Sequence, residues 1–308
     1  MALFPKRAKT MTNITAEDAA SGISRQMFGW GAVFGSAFFF YLATLIIRWS
    51  GAYVDIPAAY FVFSRFLLGF MVVSSTMLVQ RQSLQPRRYH FLLGRTLANT
   101  IAVFCFYKAV ETGSVAEANI LNMTYPLFVA LFSWFFLRQQ RDVFSLIIVV
   151  VAFGGIWMVL SPGDIKIRWE NLWGLISGIT AAAAIIYLNV SRRYHDSQTI
   201  LFFMFGLGGL IILLLFHESF FLPNSTELFF LFFCSVAGVL GQYLLTYGFF
   251  FVSAVEGSVI SSTRILLAAL LGPLLVADPP LTFAGWTGAL LIFGANALLA
   301  LRKGRKQK

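Results

Sequence analysis

The sequence predicts an all-α integral membrane protein with ten transmembrane helices arranged as two inverted five-helix repeats. Three observations carry that prediction. Of the 308 residues, 58% are hydrophobic and only 12% charged, about half the charged share of a soluble globular domain. Apolar runs of about 18 residues or more, long enough to cross a hydrocarbon core of roughly 30 Å, recur along the whole chain with short connections. Inside that apolar sequence one polar template occurs twice. Ser114-Val115-Ala116-Glu117 is followed by Asn119, Asn122 and Thr124, and Ser253-Ala254-Val255-Glu256 by Ser258, Ser261 and Thr263. A duplicated polar stripe inside membrane helices marks a molecule built from two equivalent halves around a shared site.

The first repeat is expected over residues 28–160. Helix 1 (28–47) opens on Trp30-Gly31-Ala32-Val33-Phe34-Gly35, whose Gly-xxx-Gly spacing lets helix backbones approach closely. Helix 2 (58–80) carries Arg65, and helix 3 (89–109) carries Arg95 at a similar depth, with Asn99 one turn later on the same face. Lys108 and Glu111 stand three apart near the end of helix 3, the spacing of a local ion pair. Helix 4 (114–137) starts at the first copy of the template, and helix 5 (143–160) is an apolar run.

Residues 161–170, with Pro162 and Gly163, connect the halves. The second repeat (171–301) opens helix 6 (171–191) on Trp173-Gly174-Leu175-Ile176-Ser177-Gly178, in register with helix 1. Helices 7 (198–216), 8 (227–248) and 10 (281–301) follow from apolar runs, and helix 9 (254–275) from the second copy of the template. Five crossings per half is an odd number, so the second half enters the membrane from the opposite side. Inverted repeats can exchange shapes and open a central site alternately to each side.

A net charge of +10 and a pI near 9.9 would suit a nucleic-acid partner, so the placement of the charges decides. With the N-terminus taken as cytoplasmic, sixteen Lys and Arg fall in segments on that side, and only Arg48, Lys166 and Arg168 on the other. This bias places both termini in the cytoplasm, with 1–27 as the N-terminal segment and 302–308 as a basic tail. The plasma (inner) membrane is the expected location, and the basicity reports topology rather than nucleic acid.

Residues 1–26 lack the pattern of a cleaved signal peptide, so helix 1 is expected to stay as an anchor. Asn224-Ser225-Thr226 forms a glycosylation sequon in an outer loop. Cys105 and Cys234 read as small buried hydrophobes. His90, His195 and His217 show no metal-ligand spacing, and no phosphate-binding glycine loop is present. No catalytic residue, metal or cofactor is expected.

An ionisable group in the hydrocarbon costs at least about 2.5 kcal/mol, so each one needs a reason. Glu117 and Glu256 admit two: capping boxes with Ser114 and Ser253 at helix starts, or coupling of transport to another species. Arg264 lies about ten residues, roughly 15 Å, into helix 9, near the midplane. It is either held permanently inside the bundle or docks an anionic group in a central cavity. Its counterpart in the first half is Tyr125, so the halves would offer one solute different chemistry. Asn119, Asn122, Ser258 and Ser261 complete the cavity candidates, although such a stripe can also glue helices together. Arg65 and Arg95 read as structural or gating charges in pairs. The excess of intramembrane cations favours a carboxylated or zwitterionic solute.

Ser64-Arg65-Phe66-Leu67-Leu68 in helix 2 resembles the Arg-Phe-aliphatic signature of the drug/metabolite transporter superfamily. Ala118 to Leu127, small at its start and carrying Pro126, is similar to helix 4 of the ten-helix EamA-type members. The likeness spans nearly the whole chain. It implies a secondary transporter that moves a small organic, amino-acid-like solute by alternating access without ATP. An exporter or exchanger is expected, with protons or a counter-solute as partners; a non-transporting scaffold or receptor of the same fold is the alternative. The chain departs from the resemblance where members close helices 4 and 9 on Gly-Glu: it has Arg138-Gln139 and Ala277-Asp278. Ile265 stands where helix 9 would carry a proline.

Overall fold

A computed structural model of the chain describes residues 16–136, 143–160, 168–252 and 254–306. The helices are α1 (Ala16–Ser50), α2 (Ala58–Val79), α3 (Tyr89–Thr112), α4 (Val115–Asn122), α5 (Tyr125–Phe136) and α6 (Val143–Leu160) in the first half. The second half has α7 (Trp169–Ser191), α8 (Ser197–Leu215), α9 (Ser225–Phe251), α10 (Ala254–Leu275) and α11 (Phe283–Lys306). Among the described residues there is no strand. Six stretches, with α4 and α5 taken as one, are long and apolar enough to cross a bilayer, and α6, α10 and α11 contain shorter apolar helices. α3 has 24 residues but carries Arg95, Asn99, Lys108 and Glu111, which lower its hydropathy. With it the chain makes ten crossings, the architecture of a multi-pass integral membrane protein.

The packing has the symmetry that two equivalent halves require. α1 lies along α9 as α3 lies along α7, and α1 meets α10 as α4 and α5 meet α7. α2 meets α9 as α3 meets α8, while the equivalent helices α6 and α11 pack on each other. At that last crossing the contact is reciprocal. A Cβ on Gly155 would lie 2.9 Å from the carbonyl oxygen of Gly288, and one on Gly288 2.6 Å from that of Gly155. A twofold relation produces such mutual contacts.

Three helices differ in extent from the expected spans. α1 begins at Ala16, inside the segment expected to precede the first helix, and α11 runs to Lys306, inside the expected tail; neither stretch contains a proline to stop it. The span expected over 114–137 is not one helix: α4 ends at Asn122, Met123 and Thr124 form a turn, and α5 starts at Tyr125. Asn224, read as part of a sequon, forms a complete capping box with Glu227 at the start of α9. Its side chain accepts from the amides of Thr226 and Glu227 at 2.9 and 3.0 Å.

The two Gly-xxx-Gly motifs do different things. In α7 a Cβ on Gly178 would lie 2.7 Å from the carbonyl oxygen of Leu121, and one on Gly174 3.0 Å from the Leu121 side chain. These glycines let α7 press against the end of α4. In α1 nothing lies within 4 Å of a Cβ on Gly31, and Gly35 would meet only the flexible end of Leu244. The close approach of α1 is made instead at Gly29, against Phe251 and Val252 of the α9 end. Gly178→Ala is therefore expected to destabilise the protein by about 1–3 kcal/mol, and Gly31→Ala to be neutral; thermal unfolding in detergent measures both.

Candidate functional site

The break between α4 and α5 follows from Pro126. Proline has no N–H to bond the carbonyl four residues back, here that of Asn122, and its ring crowds the preceding turn. The chain ends α4 there and re-enters α5 two residues later. The exposed backbone finds other partners. Thr124 donates its amide (3.1 Å) and its hydroxyl (2.6 Å) to the Leu121 carbonyl, and Asn296 of α11 donates its amide to the Met123 carbonyl at 2.9 Å. α10, with Ile265 in place of a proline, runs unbroken through the equivalent level. The halves thus differ at mid-depth, where a discontinuous helix lines the binding site in many secondary transporters.

A cavity of about 810 Å³ of atom-free space, counted to its open mouth, lies at this level. Its lining includes Ser36 and Phe40 of α1, Arg65 of α2, Arg95, Asn99 and Phe106 of α3, and Asn122 and Tyr125 flanking the break. Gln242 of α9 and Ser261 and Arg264 of α10 close the ring. With ten crossings, the start of α1, the end of α11 and the α2–α3 connection fall on one side of the bundle, termed the terminal side. The lining lies at mid-depth, from Arg95, six residues into α3 from this side, to Arg65, seven residues into α2 from the opposite side.

Arg264 is held inside this cavity with 4% of its surface exposed. Its Nη2 donates to the Asn122 side-chain oxygen, and the guanidinium lies 5.0 Å from the Phe106 ring centroid and 5.8 Å from that of Phe40. Asn122 is fixed from the other side: its amide donates to Ser177 Oγ at 2.6 Å, and Ser177 donates to the Ala102 carbonyl at 2.8 Å. Arg65 shares the Phe40 ring, 5.2 Å from its centroid, and donates from Nη1 to the Tyr107 hydroxyl at 3.1 Å. Aromatic rings offset part of the cost of burying a guanidinium, about 0.5–2 kcal/mol each. Among the described residues no carboxylate forms a salt bridge with Arg65, Arg95 or Arg264.

Of the residues singled out from the sequence, the structure brings Arg264, Tyr125, Asn122 and Ser261 together on this cavity, and adds Arg65 and Arg95 to it. Asn119 does not line it. Although three residues from Asn122, its amide donates to the Val115 carbonyl at 2.8 Å and to Thr44 of α1 at 3.2 Å, so it ties α4 to α1. The side chains of Ser258 and Glu256, and residue Ser253, lie outside the described residues, as do Arg138-Gln139 and the connection up to Ile167. Ser36, Phe40, Phe106, Ser177 and Gln242 were not singled out from the sequence; Gln242 and Ser177 carried a signal, as polar side chains within apolar runs.

On the far side one carboxylate gathers several helix ends. Asp278, in the connection after α10 and only 3% exposed, accepts from Arg48 Nε at 2.8 Å and from the Val115 amide at 2.6 Å. One carboxylate thereby joins the end of α1, the start of α4 and the end of α10. Ala277 before it has φ 51°, a left-handed conformation that glycine adopts without strain. The departure from Gly-Glu therefore keeps the shape of a glycine turn. Ala277→Gly is expected to stabilise the protein by about 1 kcal/mol, read as a rise in Tm. Beside this clasp Ser114 caps α4, accepting from the Glu117 amide at 3.1 Å. The Glu117 carboxylate faces Arg168 at 3.7 Å. Lys108 and Glu111 pair at 2.9 Å nearby.

Comparison with known proteins agrees with this architecture. The model of the EamA-like transporter family matches the chain twice, at residues 27–161 and 168–301. The pseudopaline exporter CntI of Pseudomonas aeruginosa is 28% identical over 275 residues, covering 87% of this chain and 95% of that protein. An uncharacterized transporter of Helicobacter pylori is 27% identical over 276 residues, covering 84% and 92%. A crystal structure superposes with a TM-score of 0.57 at 17% identity, over 93% of this chain and 99% of that one. The two matches divide the chain where the packing symmetry divides it, and the chain belongs to the EamA-like transporter family.

Proposed function

We propose that this transporter moves a small organic solute bearing a carboxylate, amino-acid-like or zwitterionic, and that Arg264 docks that group. As a member of its family the chain is a transporter and not an enzyme. The observation that carries the finer reading is a buried arginine at mid-depth, lining a cavity, with no salt bridge to a carboxylate among the described residues. Burying an unpaired charge is costly, and a solute carboxylate supplies the missing partner. Asn122 and the rings of Phe40 and Phe106 hold the guanidinium in place before the solute arrives. Tyr125 and Ser261 offer hydroxyls at the same level, suited to orienting the remainder of the solute.

With both termini in the cytoplasm, the cavity is open inward and the Arg48–Asp278 clasp is the closed outer gate. Exchange of shape between the halves would open the clasp and close the inner mouth, giving alternating access without ATP. Export or exchange is the proposed direction, in keeping with the exporter named among its relatives. Purified protein in liposomes loaded with labelled glutamate, aspartate or neutral amino acids tests the reading. Flux above that of empty liposomes for at least one carboxylated solute, competed by others, is expected. Flux confined to solutes without a carboxylate contradicts it.

A further inference from the structure

Building on the reading that Arg264 docks a carboxylate, we infer that the solute carries two anionic groups, as a dicarboxylate does. One is held at Arg264 with Arg65, and the other nearer the terminal side at Arg95 with Asn99. The cavity contains three buried arginines, where one would serve a single carboxylate. Arg264 and Arg65 form one end of it. Both guanidiniums lie against the Phe40 ring, each spends one nitrogen on a neutral partner, and each keeps a buried Nε with no hydrogen-bond partner among the described residues.

Arg95 forms the other end. It lies six residues, about 9 Å, from the terminal-side start of α3, against roughly 15 Å for Arg264 in α10, so by count along its helix it sits about one turn nearer the terminal side. Its Nη2 donates to the Met204 sulfur, a weak acceptor, at 3.8 Å. Its Nε and the amide nitrogen of Asn99, one turn on, have no hydrogen-bond partner among the described residues. Arg95 is 4% exposed and Asn99 8%, and both line the same cavity.

Like charges confined in a low-dielectric space repel, and each buried donor left unmade carries its own cost. A single carboxylate relieves one end only. Two carboxylates set along the cavity relieve both and give the idle Nε–H groups their acceptors. The planar edge of a guanidinium whose faces lie against aromatic rings suits a carboxylate, which takes two parallel N–H bonds in one plane.

The test is thermal unfolding of the purified full-length chain in detergent, titrated with succinate, glutarate and adipate and with acetate and butyrate. At least one dicarboxylate is expected to bind about tenfold or more tighter than either monocarboxylate, read from the rise in Tm with concentration. Arg95→Gln is expected to reduce that dicarboxylate to monocarboxylate affinity, with Arg95→Lys falling between. Arg264→Gln is expected to weaken both classes. The Tm of each variant without ligand separates a folding defect from lost binding, and Arg95→Lys retains the charge should Arg95→Gln fail to fold. Equal binding of mono- and dicarboxylates, unaltered in Arg95→Gln and Arg95→Lys, overturns the second anionic group and leaves Arg264 as a single docking site. Binding of neither class to the wild type overturns both.

Discussion

Arg264→Gln is expected to reduce solute flux by about 100-fold while leaving the fold at least as stable as before. The two halves of that result come from the same fact. A hydrogen-bonded charge pair between protein and solute contributes about 1.5–3 kcal/mol, and the upper part of that range is about two orders of magnitude in affinity. In the empty protein, however, the guanidinium is 4% exposed with no salt bridge among the described residues, so its removal takes away a desolvation cost. A residue whose role was to tie helices together would show the reverse, a large loss of stability and a proportionate loss of flux. Flux in liposomes and Tm in detergent, measured on one preparation, separate the two.

The second large effect is expected at Asp278. Asp278→Ala removes the acceptor of the buried Val115 amide and the partner of Arg48. The amide accounts for most of the loss, about 1–3 kcal/mol for a buried donor left unmade. The Arg48 pair adds little, since 35% of the Arg48 side chain is exposed and solvent screens it. Asp278→Asn retains an acceptor for Val115 and is expected to cost less than about 1 kcal/mol. Both substitutions weaken the contact that holds the far side shut, so both should shift the protein toward a far-side-open form. Urea or thermal unfolding checks the order Ala, then Asn, and equal losses in the two would mean that the ion pair, not the amide, carries the contact.

Much of this architecture was legible because its physics is one-dimensional. Length and apolarity place a span, and a repeated Ser-x-x-Glu template reveals two halves; neither requires knowledge of what faces what. Pro126 was equally visible, yet the break before it was not read, since a proline early in a helix is as compatible with an intact helix as with a broken one. The structure resolves this through Gly178 and Asn296, which arrive from α7 and α11 to fill and hydrogen-bond the turn.

The candidate site was legible in part for a related reason. Asn122, Tyr125, Ser261 and Arg264 stood out as polar groups at mid-depth, and they do meet. Asn119 stood out equally and faces α1, where its amide meets Thr44. Arg65 and Arg95 look close enough to headgroups to find local partners; instead Gly238 of α9 lies against Arg65 and Met204 of α8 meets Arg95. Sequence spacing within one helix carries no information about such neighbours. Phe40 and Phe106 were two among 34 phenylalanines, and only the guanidiniums beside them set them apart.

Side-specific cysteine labelling tests most directly the claim that the cavity between the halves is the solute path. Cys105 and Cys234 are free and buried and would be replaced by alanine. Ser261→Cys then reports the cavity in sealed vesicles of known orientation. A membrane-impermeant maleimide is expected to react from the terminal side, to be slowed by bound solute, and to react from the far side as well once Asp278→Ala opens the clasp. Absence of reaction from both sides, with and without Asp278→Ala, would contradict the account and leave a closed membrane scaffold in its place.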